Sequence, residues 1–156
     1  MQTYGKRTLQ GISVGNLTIA AYPSVATTWL PEIVRTFQRD YPEVQFNIME
    51  GIRSEIFGHL NDHVADMGFL AYAEPMDYEW TPLAEEAVIA VVPEDHRLGV
   101  SFVNELSAQY WNDHLVKLPL DPPQKVEFGI AYTSKEHMTA AAKKFYDYAI
   151  RCIRGE

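Results

Sequence analysis

The sequence predicts an α/β protein built on a mostly parallel, three-layer αβα sheet. Two observations predict it. Short apolar runs of strand length alternate with amphipathic helical runs, the pattern of a parallel sheet with helices on both faces. The first of the strands, Leu17–Tyr22, is also apolar at nearly every position, as expected of a strand covered on both sides. At 156 residues, 47% apolar and 22% charged, the chain suits one domain with a sizeable core.

Residues 1–15 show no clean periodicity and read as a linker remnant leading into that strand. The next run carries Trp29, Leu30, Ile33, Val34 and Phe37 on one helical face and Glu32, Arg35, Gln38 and Arg39 on the other. Pro31 fits its first turn if the helix begins at Thr27 or Thr28, with one of these threonines as cap, and Tyr41-Pro42 ends it. Val44–Met49 alternates as a strand. Gly51 turns the chain into a second helix, with Ile56, Phe57, Leu60 and Val64 spaced for burial. Asp66–Leu70 and Val88–Val92 read as the third and fourth strands, with an irregular stretch between them. Farther on, Val103–Gln109 reads as a short helix capped by Ser101. Leu115–Leu120 and Val126–Tyr132 read as two strands around Pro122-Pro123. The last helix is expected to start at Thr133, whose spacing to Glu136 is that of a capping box, and to bury Met138, Ala142, Phe145, Ala149 and Cys152.

The 13 basic and 21 acidic residues give a formal net charge of −8. Such a surface repels phosphate backbones, and the basic residues are scattered, so direct nucleic-acid binding is not expected. No apolar run approaches the roughly 18 residues of a membrane span and no signal-peptide pattern opens the chain, so a cytoplasmic protein is expected. Cys152 stands alone, which excludes an internal disulfide.

Three segments, in order and spacing, carry a family resemblance: N-L-T-I-A-A-Y-P-S at Asn16–Ser24, W-L-P-E-I-V-R-T-F-Q-R-D-Y-P-E-V at Trp29–Val44, and A-D-M-G-F at Ala65–Phe69. With V-V-P-E-D-H-R-L at Val91–Leu98, they resemble the effector-sensing domain of LysR-type transcriptional regulators. The resemblance covers Leu17–Leu98 and then Leu115 to about Ile153. It implies a type 2 periplasmic-binding-protein fold, in which a second lobe is inserted into a flavodoxin-like first lobe and the effector binds between them. Here residues 16–98 and 115–153 would form the first lobe. Only residues 99–114 occupy the place of the insertion, whereas a lobe with its own core needs about 50 residues. The second lobe is therefore expected to be missing as a folded unit, as is the family's upstream winged helix-turn-helix. Two readings of the short gap stand side by side: loss of the lobe, or a segment missing from the sequence as written. The resemblance also makes His96 the hinge histidine at the lobe crossing.

Candidate chemistry gathers at the carboxyl edge of the sheet, where open α/β sheets bind ligands. Tyr22–Thr28 leads from strand to helix and offers Pro23, Ser24, Val25 and Thr27, with hydroxyls suited to a carboxylate or phosphate. Gly51, Ile52 and Arg53 follow the second strand, and Phe69 and Leu70 close the third. Ile52 and Phe69 would supply apolar wall and Arg53 an anion partner or merely a solvated helical residue. His59 and His63 have metal-ligand spacing, yet nothing nearby completes a shell; the resemblance, whose pattern usually has a glycine where His63 stands, implies a left-handed cap there. Asp40, Glu43, Glu85 and Glu86 read as solvated face. No nucleophile elbow, phosphate loop or dinucleotide-binding glycine pattern occurs. The expectation is a non-enzymatic sensor with no cofactor, a small anionic effector as partner, and a homodimer in solution. Effector binding should be weak or absent without the second lobe. An association module using surfaces exposed by that loss is the alternative.

Overall fold

The computed structural model describes residues 15–95, 99–109, 111 and 114–156. His96 and, apart from Gly15, the expected linker lie outside them.

β1 (Asn16–Ala21) is followed by two helical segments, α1 (Pro23–Thr28) and α2 (Leu30–Asp40), joined at Trp29. β2 (Gln45–Glu50), α3 (Arg53–Asn61) and β3 (Met67–Ala71) complete a βαβαβ unit in which β1 pairs in parallel with both β2 and β3. β4 (Glu79–Pro93) and β6 (Leu115–Tyr132) are long antiparallel partners, and the connection between them holds β5 (Ser101–Asn104) and the short helix α4 (Glu105–Ala108). α5 (Ala140–Arg154) ends the fold. Among the described residues the sheet order is β2-β1-β3-β6-β4-β5.

The α/β class and the three layers stand, but the sheet is mixed rather than mostly parallel. Only the β1–β2 and β1–β3 pairings are parallel; β3–β6, β4–β6 and β4–β5 are antiparallel. A strand returning after a hairpin-like connection needs no helical crossover, so the second half of the sheet can reverse direction.

Each strand sends alternate residues to opposite layers. Leu17, Ile19 and Ala21 of β1, Met67 and Phe69 of β3, and Phe128 and Ile130 of β6 pack with Ile33 and Phe37 of α2 and Phe145 and Ala149 of α5. Ala20, Leu70 and Ala131 turn to the other face, where Ile56 and Leu60 of α3 cover them. Gly68 lets α3 approach, since an added Cβ would stand 2.6 Å from Ile56 Cγ2. Asp66 continues the ladder beyond β3: its amide donates to the Thr18 carbonyl (2.8 Å) and its carboxylate accepts from the Thr18 amide (2.9 Å).

Several helix and strand boundaries differ from expectation. The first helix starts at Pro23, not at Thr27 or Thr28. Both threonine hydroxyls instead bond back one turn, Thr27 to the Pro23 carbonyl (2.9 Å) and Thr28 to that of Ser24 (2.5 Å). Ser101 belongs to β5, and the cap of α4 is Asn104, whose Oδ1 accepts from the Ser107 amide at 2.7 Å. The last helix starts after Thr139, which accepts from the Ala142 amide at 3.1 Å, so the Thr133 capping box does not form a helix start. Leu115–Tyr132 is one strand, its register with β4 shifting between Val88 and Ile89. Glu85 is exposed and pairs with Lys125 at 3.3 Å. Glu86, by contrast, is half-buried, and burial first and the Glu105 charge second push its pKa up.

Candidate ligand cleft

β1 and β2 run side by side in the same direction, so the loops that leave them, Tyr22–Ser24 and Gly51–Arg53, emerge together at the carboxyl edge. Main-chain bonds bind this edge into the sheet: the Gly51 amide donates to the Ala21 carbonyl (3.1 Å) and the Tyr22 amide to that of Phe69 (3.0 Å). The two loops border a cleft of about 1260 Å³.

Pro23, Ser24 and Thr27 line one side of the cleft, and Gly51, Ile52, Arg53 and Ser54 line the adjoining one. The remaining expected site residues do not reach it. Val25, Phe69 and Leu70 are fully buried, Val25 and Phe69 in the main core and Leu70 against α3. The pleat sends the last residues of β3 into the two helix layers, so this strand contributes main chain to the edge and no apolar wall.

Three lining residues come from the connection between β4 and β6: Asn104, Ser107 and Trp111. Asn104 caps α4, Ser107 lies within it, and Trp111 stands three residues beyond its end. α4 is fixed from its other side, with Leu106 in the main core and Ala108 against Ile89 and Val91. No pattern in the sequence marks these three residues, because their place at the cleft depends on how α4 packs.

Arg53 fills neither of the roles expected of it outright. Its guanidinium donates to the carbonyls of Ala71 (3.2 Å), Pro75 (2.9 Å) and Ala73, and lies 4.6 Å from the centroid of the Phe57 ring. It thus clamps the loop after β3 to the start of α3. Carbonyls satisfy its donors without cancelling its charge, so a positive group stays at the cleft wall. Burial raises the pKa of the Tyr22 hydroxyl, against the opposing pull of this cation. Next to it, the Ile52 amide donates to the Glu55 carboxylate at 2.8 Å. Gly51 leaves room for that carboxylate, since a Cβ there would lie 2.7 Å from Glu55 Oε2.

His59 and His63 acquire no companions; among the described residues no three His, Cys, Asp or Glu side chains gather as a metal site requires. Nor is any helix among them long and apolar enough to cross a membrane.

Comparison with known proteins identifies the family and the fold. The LysR substrate binding domain family matches residues 10–99. The uncharacterized HTH-type transcriptional regulator YoaU of Bacillus subtilis is 29% identical over 80 residues, 51% of this chain and 27% of that protein. YvbU of the same organism, also an uncharacterized HTH-type transcriptional regulator, is 26% identical over 91 residues, 58% of this chain and 30% of that protein. The chain therefore spans about a third or less of these curated relatives. Among solved structures, the effector binding domain of QuiR in complex with shikimate superposes with a TM-score of 0.80 at 17% identity, covering 92% of this chain and 99% of that one. The regulatory domain of CcmR from Synechocystis PCC6803, in complex with 2-PG, gives 0.78 at 13% identity, covering 90% and 98%. Oxidized OxyR gives 0.76 at 15%, covering 90% and 97%. With the family match over more than half its length and the fold of regulator effector domains, the chain belongs to the LysR substrate-binding-domain family.

Proposed function

We propose that this chain is a non-enzymatic, cytoplasmic effector-sensing lobe in which residues 99–114 stand in place of a second lobe. Residues 16–98 and 115–153 form the first lobe and bind a small anionic effector at the carboxyl edge. The observation that carries this reading is the cleft itself, where the loops after β1 and β2 meet beside the Arg53 cation. Pro23, Ser24, Thr27, Gly51, Ile52 and Arg53 are the proposed contacts. Two similar structures hold small molecules, shikimate and 2-PG. Affinity is weak here, because a cleft between two lobes buries most of its ligand and a single lobe leaves much of it in water. The lobe makes no direct contact with nucleic acid, in keeping with its net charge of −8.

The test is thermal unfolding of the full chain against a panel of small acids that includes shikimate and 2-PG. A binder's Tm rises with ligand concentration. A Tm indifferent to every acid at tens of millimolar (about 10–50 mM, well above ordinary ligand affinities) would overturn the reading.

A second reading, that the chain is mainly a homo-association module, rests on one specific surface. Phe102 of β5 and Leu118 of β6 flank Ala90 of β4 in register, so the three share one face of the sheet. Phe102 is 65% and Leu118 44% exposed, and α4 covers the opposite face through Ala108. An association module's Tm rises with protein concentration and not with ligand.

A further inference from the structure

α4 has one face that core packing does not explain. Leu106 and Ala108 are buried and anchor it. On the cleft face, Ser107 has no side-chain hydrogen bond among the described residues, and Asn104 uses its Oδ1 for the cap while its amide nitrogen bonds nothing there. Trp111 is 42% exposed. Across the cleft stand Ile52, 65% exposed, and the charge of Arg53. An indole and an isoleucine left open in one concavity, with unspent polar groups beside them, match the composition of ligand sites.

We infer that this face of the connection is a specificity wall, so the cleft selects a small monoanion carrying an apolar ring rather than a bare anion. The inference rests on the effector reading above. The carboxylate end lies toward Arg53, and the ring lies between Ile52 and Trp111. Asn104 and Ser107 receive polar substituents on the ring. A bare anion of the same charge gains nothing from the two apolar walls.

The experiment is amide chemical-shift titration of the full chain, which reads millimolar affinities residue by residue. The probes are cyclohexanecarboxylate, its neutral carboxamide, and acetate. Cyclohexanecarboxylate should shift amides of Ser24, Ile52–Ser54 and Ser107, with the carboxamide and acetate each binding about tenfold more weakly or worse. Trp111→Ala should weaken cyclohexanecarboxylate by about tenfold and Trp111→Phe should restore most of the loss. An unchanged spectrum away from the cleft shows that each variant keeps the fold. If Trp111→Ala binds as well as the parent, or acetate binds as tightly as cyclohexanecarboxylate, the specificity wall is overturned and the effector reading survives. If no probe shifts any cleft amide, both fall.

Discussion

Gly129 of β6 is held where no other residue fits. A Cβ there would stand 2.3 Å from the Thr81 carbonyl oxygen and 2.6 Å from the Trp80 ring, beside the register shift between Pro82 and Ala84. The obstructing atom is main chain, so it cannot swing away. Gly129→Ala should cost about 3 kcal/mol of stability by chemical denaturation. His63 shows the opposite case. It has φ +54°, and its amide bonds the Leu60 carbonyl (3.2 Å) while that of Val64 bonds His59 (2.9 Å), which together form a Schellman cap. The side chain is exposed, so His63→Gly should raise stability by about 1 kcal/mol at an unchanged denaturant slope. That left-handed turn was legible through the family resemblance, whose pattern usually has a glycine at this position. The burial of Val25, Phe69 and Leu70 was not, because one step along a strand or a short helix exchanges core for edge, and only the assembled layers fix which step applies.

At the scale of elements, side-chain clamps join segments far apart in sequence. Arg53 holds the loop after β3 through three carbonyls. Arg53→Lys keeps the charge and loses the planar fork, so it should destabilise by about 1–2 kcal/mol. Faster hydrogen exchange at residues 71–75 would locate the effect. Tyr148 of α5 bonds the Asp40 carboxylate at the end of α2. Burial first, then that hydrogen bond and charge, raise its pKa from 10.0 to about 12. Between those values the unfolded phenol ionises while the folded one keeps its proton. The stabilisation is therefore complete below pH 10 and fades as pH rises toward 12. Base titration of Tm should show a shallower fall for Tyr148→Phe than for the parent. β1 and α2 were legible because their apolar patterns are strong. β4 was not read over its full length, since Pro82 and the Glu85-Glu86 pair interrupt any strand pattern. β5, at four residues, is too short to carry a period, and this is why the α4 cap was placed at Ser101. Thr133 and Thr139 are both plausible caps, and tertiary packing decides between them.

For the whole molecule, the mixed sheet leaves two dissimilar ends. β2 forms one edge and β5 the other. If the Phe102–Leu118 face governs association, Phe102→Asp should turn a mass that depends on concentration into that of a 17.8 kDa monomer by light scattering. An unchanged mass would place any dimer elsewhere. The sequence conveyed the class of the fold and the family. It could not convey the wall opposite that edge, because Asn104, Ser107 and Trp111 become neighbours of Ile52 only through α4 docking against the core.

The place of β6 in the sheet also bears on how the protein is made. It lies between β3 and β4, yet comes from residues synthesised well after both. While the chain leaves the ribosome, β3 can pair with β1 on one side only, and its other edge, Met-Gly-Phe-Leu-Ala, has no charge or proline to discourage a stray partner. A nascent chain paused before residue 115 is thus open to pairing with other chains at a strand that is later flanked on both sides. Swift completion or a chaperone would serve this sheet better than any further gain in native stability.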